Sequence, residues 1–172
     1  MQLLKTVEIV VYTNRKIVDL KDAIIKIKDG GANEITVTVG AGNLTYTEKK
    51  ENEYVTDRGS LDLVCEGDEQ PMDVKMDFQW TQITNSSGGS ATIEDALKQQ
   101  GGAAAWASTD SNACNPYAVD VEVAIVPGCG SLPTVTTTLP DFRHDQLYHD
   151  LQAGTVSCTG RCNAVEPTHV LS

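Results

Sequence analysis

The residues best suited to chemistry are two His-Asp pairs, His144-Asp145 and His149-Asp150, and five cysteines, Cys65, Cys114, Cys129, Cys158 and Cys162. Imidazole beside carboxylate is the raw material of a metal or hydrolytic site, because the ring ligates a metal or takes a proton while the carboxylate orients it. A spacing of five residues works against convergence, since it sends the two rings to opposite faces of a strand, or about 140° apart on a helix. With His169 the one other histidine, no His-based metal site is expected, and His144-Asp145 reads as an exposed pair.

The cysteines contain no C-x-x-C pair, and an odd number cannot close fully within one chain. Cys158 and Cys162 lie in sequence that reads as extended, about 13 Å apart against a limit of ~7 Å for a disulfide, so joining them needs a sharp bend at Gly160. Cys114 and Cys129 flank one strand, and the same reach opposes their pairing. Free thiols are expected within a monomer, and all five are candidates for bridges between subunits in an oxidising medium.

Carboxylates are abundant, but acid and base catalysis needs two of them converging in a pocket, and alternation spreads them over solvent-facing sheet surfaces. No G-x-S-x-G elbow, H-E-x-x-H helix or phosphate-cradling loop occurs, and Ser90, after Gly88-Gly89, reads as a turn. The sequons at Asn43-Leu44-Thr45 and Asn85-Ser86-Ser87 matter only on a secretory route. Trp80 falls on the apolar face of its strand and reads as core, while Trp106, among alanines, is placed to pack on a helix or on another subunit. No catalytic residue, metal site or cofactor is expected.

Charge narrows the partners. Thirteen Lys and Arg against 24 Asp and Glu leave a net charge of −11 and a pI near 4.5, which opposes any protein that grips phosphate or an anionic membrane. The 172 residues suit one domain, and 40% hydrophobic residues supply a core. The longest apolar run near the start, residues 9–12, falls far short of the roughly 20 residues that span a bilayer, so neither a signal peptide nor a membrane span is expected.

The elements that must position these residues are mostly strands. Residues 6–12 are β-branched and aromatic, and a short helix or turn is expected near 18–22. Residues 23–28 and 35–39 flank Asp29-Gly30-Gly31 and read as a hairpin, followed by a turn over 40–43 and a short strand over 44–48. Residues 49–71 carry charge with only a brief apolar patch at Leu61, Leu63 and Val64, and read as a long arm. Val74, Met76, Phe78 and Trp80 share one strand face, opposite Asp73, Lys75, Asp77 and Gln79.

Thr92-Ile-Glu-Asp95 matches a capping box, so a helix is expected over 93–100, stopped by Gly101-Gly102, with Ile93, Ala96 and Leu97 on one face. Val119, Val121, Val123 and Ile125 alternate with Asp120 and Glu122 in a strand over 118–126, ended by Pro127-Gly128. A short strand over 135–139, a closing hairpin over about 143–165 and a loose tail from 166 complete the chain. With no internal repeat, residues 1–172 read as a single mainly β domain, an antiparallel β-sandwich or open barrel with one flanking α-helix.

In series, Gly42-Asn-Leu-Thr-Tyr-Thr-Glu-Lys49, Asp57-Arg-Gly-Ser-Leu-Asp62, Glu66-Gly-Asp-Glu-Gln-Pro71, Ile93-Glu-Asp-Ala-Leu-Lys98, Pro140-Asp141-Phe142-Arg143 and Asn163-Ala-Val-Glu-Pro167 resemble the major tail tube proteins of tailed bacteriophages. The resemblance covers roughly three quarters of the chain and leaves out the first 30 residues. It implies a non-enzymatic virion protein, made in the host cytoplasm, whose copies form hexameric rings stacked into a hollow tube for genome ejection. Sheath, tape-measure, baseplate and tail-terminator proteins are the further partners it implies.

By that analogy, residues 49–71 reach across a subunit or ring boundary, with Asp57, Arg58, Leu61, Cys65, Glu66, Asp68 and Glu69 at the contact. Asp73, Asp77, Asp120 and Glu122, on polar strand faces, are the candidates to line an acidic lumen that DNA passes without binding. Two other readings stay open. One is a tube component of a bacterial contractile injection system; the other is an acidic β-sandwich binding or adhesion module using loop aromatics such as Trp106 and Tyr117.

Overall fold

Alternation becomes strand almost wherever it occurs, and the chain is mainly antiparallel β with one short helix. The structure, a computed structural model, describes residues 23–37, 43–79, 90–125 and 134–172. The expectations for residues 6–12, 18–22 and 40–42, for Trp80, for the 85–89 turn, for Pro127-Gly128 and for Cys129 lie outside the described residues.

Ala23–Lys28 (β1) and Glu34–Val37 (β2) form the expected hairpin. Leu44–Thr47 (β3) pairs with Met72–Gln79 (β6), whose inward row Met72, Val74, Met76 and Phe78 is buried. Val119–Ile125 (β7), Val135–Asp150 (β8) and Thr155–Cys162 (β9) complete a sheet of order β2-β1-β7-β8-β9-β6-β3. Lys50–Asp57 (β4) and Ser60–Glu69 (β5) pair only with each other, as a separate ribbon. The expected unpatterned arm is therefore a β-hairpin.

Two further expectations are corrected. The strand over 135–139 and the first arm of the closing hairpin are one strand, β8, and the tail contains Thr168–Leu171 (β10), which pairs with Val135–Thr138 of β8. β8 carries both halves of the sheet. Its first half lies between β7 and β10, and its second half pairs with β9. Phe142, at the junction, pairs with both Val119 of β7 and Cys162 of β9.

The strand turns a corner just before Phe142. Pro140 has no amide to give to a ladder, and Asp141 adopts φ +50°. The Asp141 amide donates to the Asp120 carboxylate on β7 (3.0 Å), and its own carboxylate accepts from the Thr109 hydroxyl (2.8 Å). Both halves of the sheet and the helix contribute to one buried cluster, from Ile25, Val121 and Leu139 on one side to Val74, Met76 and Val156 on the other. At the corner β8 and β9 approach so closely that a Cβ on Gly160 would lie 2.0 Å from the Arg143 carbonyl oxygen and 2.7 Å from the Phe142 ring.

Ile93–Lys98 (α1) begins with the expected capping box: Asp95 N donates to Thr92 Oγ1 (3.2 Å) and Thr92 N to an Asp95 carboxylate oxygen (3.1 Å). The helix ends earlier than the expected Gly101 stop, because Gln99 takes the left-handed cap at φ +51° and its side chain donates to the Trp106 carbonyl (2.8 Å). Trp106 is buried in the core. The segment after it is tied to the β1–β2 turn by buried Asp29, which accepts from the amides of Gly31, Asn33 and Ala107 and from the Asn33 side chain. Burial works to raise the Asp29 pKa, but these donors outweigh it and hold it low.

The close approach at the corner has a measurable consequence. Gly160→Ala should lower stability by about 2–3 kcal/mol, because backbone and a buried ring must move to admit one methyl group. Urea unfolding checks this, and an unchanged midpoint would show that β8 and β9 part without penalty there.

Candidate functional site

Every residue expected at a subunit contact lies on the β4–β5 ribbon. Arg58 and Gly59 occupy its turn at φ +51° and +85°, the two left-handed positions of a type I′ hairpin. Cross-strand pairing sorts its side chains: Tyr54, Val64 and Leu61 share one face with Glu66, and Val55, Leu63 and Cys65 share the other with Glu53. Neither face packs on the core. Tyr54 and Leu61 are each 62% exposed, and Leu63, Val64 and Val55 are also exposed. Asp57, Asp68 and Glu69 are solvent-facing, and Glu66 pairs with Lys50 at 2.8 Å, a hydrogen bond that holds the Glu66 pKa below its usual value. Five large apolar side chains on a ribbon that touches no core mark a surface made to be covered.

The lumen candidates share the outward side of the main sheet, but in two separated groups. Asp73 and Asp77 are on β6, and Asp120 and Glu122 are on β7 beyond β9 and β8. Asp73 is paired with Lys49 and, at 3.8 Å, with Arg161, which also meets Asp145 at 3.4 Å. Asp77 accepts from the Ser157 hydroxyl at 2.5 Å, and Glu122 is paired with Lys28 at 2.6 Å. Asp120 holds the β8 corner; burial pushes its pKa up and the Asp141 amide partly offsets this. Arg143 anchors the loop before β7, donating to the Pro116 carbonyl (2.9 Å) and to Asp110 (2.6 Å).

The two histidines overturn their expected geometry. Between His144 and Gln146 the β8–β9 register slips, so that Asp145 is an extra residue. Adding one residue restores the parity of His144 and His149, and both face α1. His144 bonds to the Leu97 carbonyl, and His149 Nε2 lies 3.2 Å from Glu94, which is also held by Lys98. Burial works to raise the Glu94 pKa, but Lys98 and His149 outweigh it. His144 is half-buried and not the exposed residue expected. No group of three His, Cys, Asp or Glu is placed to hold a metal among the described residues.

The four described cysteines are free: Cys158 and Cys162 are buried in β9 and Cys114 is exposed, with Cys65 between these extremes. Burial pushes both β9 thiols up to about 12, which leaves them protonated and poor nucleophiles.

With this geometry in view, the comparisons concern shape. No protein-family model and no curated protein matches the chain. Among solved structures, it is similar to a chain of the anti-feeding prophage cap, the tube-terminating cap, with a TM-score of 0.59 at 8% identity over 98% of this chain and 100% of the other. It is also similar to a chain of the sheath/tube terminator of an extracellular contractile injection system, PVC, in the extended state, with a TM-score of 0.53 at 10% identity over 91% and 97%. The fold is one that occurs in tail-like particles. Both neighbours come from terminator structures, so the likeness is to the tail-tube fold broadly and does not single out the major tube protein.

Sequence reasoning passed over Tyr54 and Val55, although Tyr54-Val-Thr56 facing Leu61, Leu63 and Val64 across Arg58-Gly59 is a hairpin signal. A pH effect follows from the His144 setting. Burial, with Lys98 beside it, lowers its pKa against the opposing pull of the Leu97 carbonyl, Asp145 and Glu94. The stability lent by neutral His144 is complete above its unfolded pKa of about 6.5 and is lost as pH falls through the lower folded value. His144→Gln should therefore flatten the acid side of the stability curve; urea midpoints measured from about pH 7 to 5 check this, and an unaltered slope would assign the effect elsewhere.

Proposed function

We propose that the chain is a structural, non-enzymatic component of a phage-tail-like tube, whose copies join edge to edge into a six-membered ring and which engages an axial neighbour through the β4–β5 hairpin. The observation that carries this reading is that hairpin, ordered by its own ladder yet exposing apolar side chains on both faces. The sheet ends support it. β2 and β3 terminate the strand order, and neither has a second strand neighbour among the described residues. Open edges of this kind are satisfied by pairing with another copy.

In its finer form the reading is a tube subunit in a virion, with rings stacked into the conduit for genome ejection and with sheath, tape-measure, baseplate and terminator proteins as neighbours. A net charge of −11 suits a passage that must not hold DNA. The likeness to terminator structures favours a second position for the same ring, at the end of the tube. The binding-module alternative loses its instruments, because Trp106 is buried and Tyr117 is half-buried with its hydroxyl enclosed.

Purified protein should run as a closed ring of several 18.5 kDa subunits, with a uniform bore in negative-stain images. A monomer at all concentrations would refute the proposal. Deleting residues 53–65 should leave the rings and the melting temperature within about 2 °C of the parent, because the hairpin contributes nothing to the core.

A further inference from the structure

Nearly half of the net negative charge sits on one element. Residues 50–69 carry seven carboxylates against Lys50 and Arg58, a net of −5 within the total of −11, which leaves −6 for all other residues. The same element exposes apolar side chains on both faces. The apolar side chains favour burial in any complementary slot, whereas the carboxylates admit only a surface that supplies cations.

Among the described residues, a second copy offers little such surface. Outside the hairpin, every described Lys and Arg except Lys75 is already ion-paired: the pairs named above account for all but Lys26, which meets Glu34 at 2.7 Å. At the hairpin root an open cleft of about 710 Å³ is lined by Glu48, Glu51, Glu66, Asp68, Glu69 and Glu166, and of its two lysines Lys49 is committed to Asp73 and Lys50 to Glu66, which leaves the other five carboxylates without a lysine of the cleft. A hairpin seated in that cleft of a second copy would set like charges together at contact distance, well inside the screening length of about 8 Å.

We infer that the hairpin docks on a different protein, one that presents a basic surface with an apolar slot, and that its charge keeps copies of this chain from stacking on one another. The inference rests on the tube-component reading and takes its second position, at the end of the tube, in place of the stacked-ring form, since a ring that shuns its own kind along the axis belongs at a boundary of the assembly.

The test compares the wild type with E53Q/D62N/D68N/E69Q, which removes four charges at constant shape, and with the same variant carrying Leu63→Ser. Circular dichroism verifies folding; sedimentation velocity and negative staining read association in about 50 and about 500 mM NaCl. At low salt the wild type should remain unstacked, while the neutralised protein associates axially at a concentration at least about tenfold lower, high salt narrows the gap, and Leu63→Ser reverses it. Wild type that stacks at low salt as readily as the variant overturns the inference, as does a neutralised protein that associates no better than wild type. If neither forms rings but the neutralised chain still associates through Leu63, the tube reading falls and the inference about the hairpin stands.

Discussion

One corner carries the architecture. β8 serves both halves of the sheet, and it does so because its direction changes at Pro140-Asp141, where the Asp141 amide leaves the ladder and bonds to the Asp120 carboxylate. A hydrogen bond to a charged acceptor is worth about 1.5–3 kcal/mol, enough to hold a left-handed aspartate in place. Immediately beyond, the Phe142 ring lies over Gly160, where no side chain fits. Without that turn the inward rows of β6 and β9 would not meet those of β1 and β7, and neither half alone could enclose a core.

The corner also bears on how charge is distributed. Asp120 and Glu122 alternate with core valines as solvent-facing residues do, yet one is tied to a backbone amide and the other to Lys28. Asp73 is similarly matched by Lys49 and Arg161. Asp73 and Glu122 are thus compensated by cations, whereas nearly half of the net negative charge gathers on the hairpin, which exposes apolar side chains on both faces. Affinity from apolar contact and selectivity from charge coincide there, a combination suited to recognising one partner and rejecting others.

The legible parts of the fold were those in which a residue's surroundings follow from its near neighbours. The buried rows of β6 and β7 and the Thr92–Asp95 cap are of this kind. The β4–β5 ribbon escaped notice because both of its faces carry apolar and charged residues, so the alternation that marks a half-buried strand is blurred and only the turn at Arg58-Gly59 signals the hairpin. β10 escaped because its pairing partner lies some thirty residues earlier, in a strand whose own extent was hidden by Pro140.

By itself the sequence determined the strand faces, the start of the helix, the strongly acidic balance and the extended run that separates Cys158 from Cys162, since each depends on backbone spacing within a few residues or on composition alone. Tertiary structure decided that β8 is one bent strand, that the extra residue at Asp145 turns His144 and His149 onto the same side, and that, among the described residues, Asp73 and Glu122 of the sheet meet cations while Glu66 alone does so among the hairpin carboxylates. Register, bulges and ion pairs join residues far apart along the chain, and no local periodicity encodes which distant partner a strand will meet.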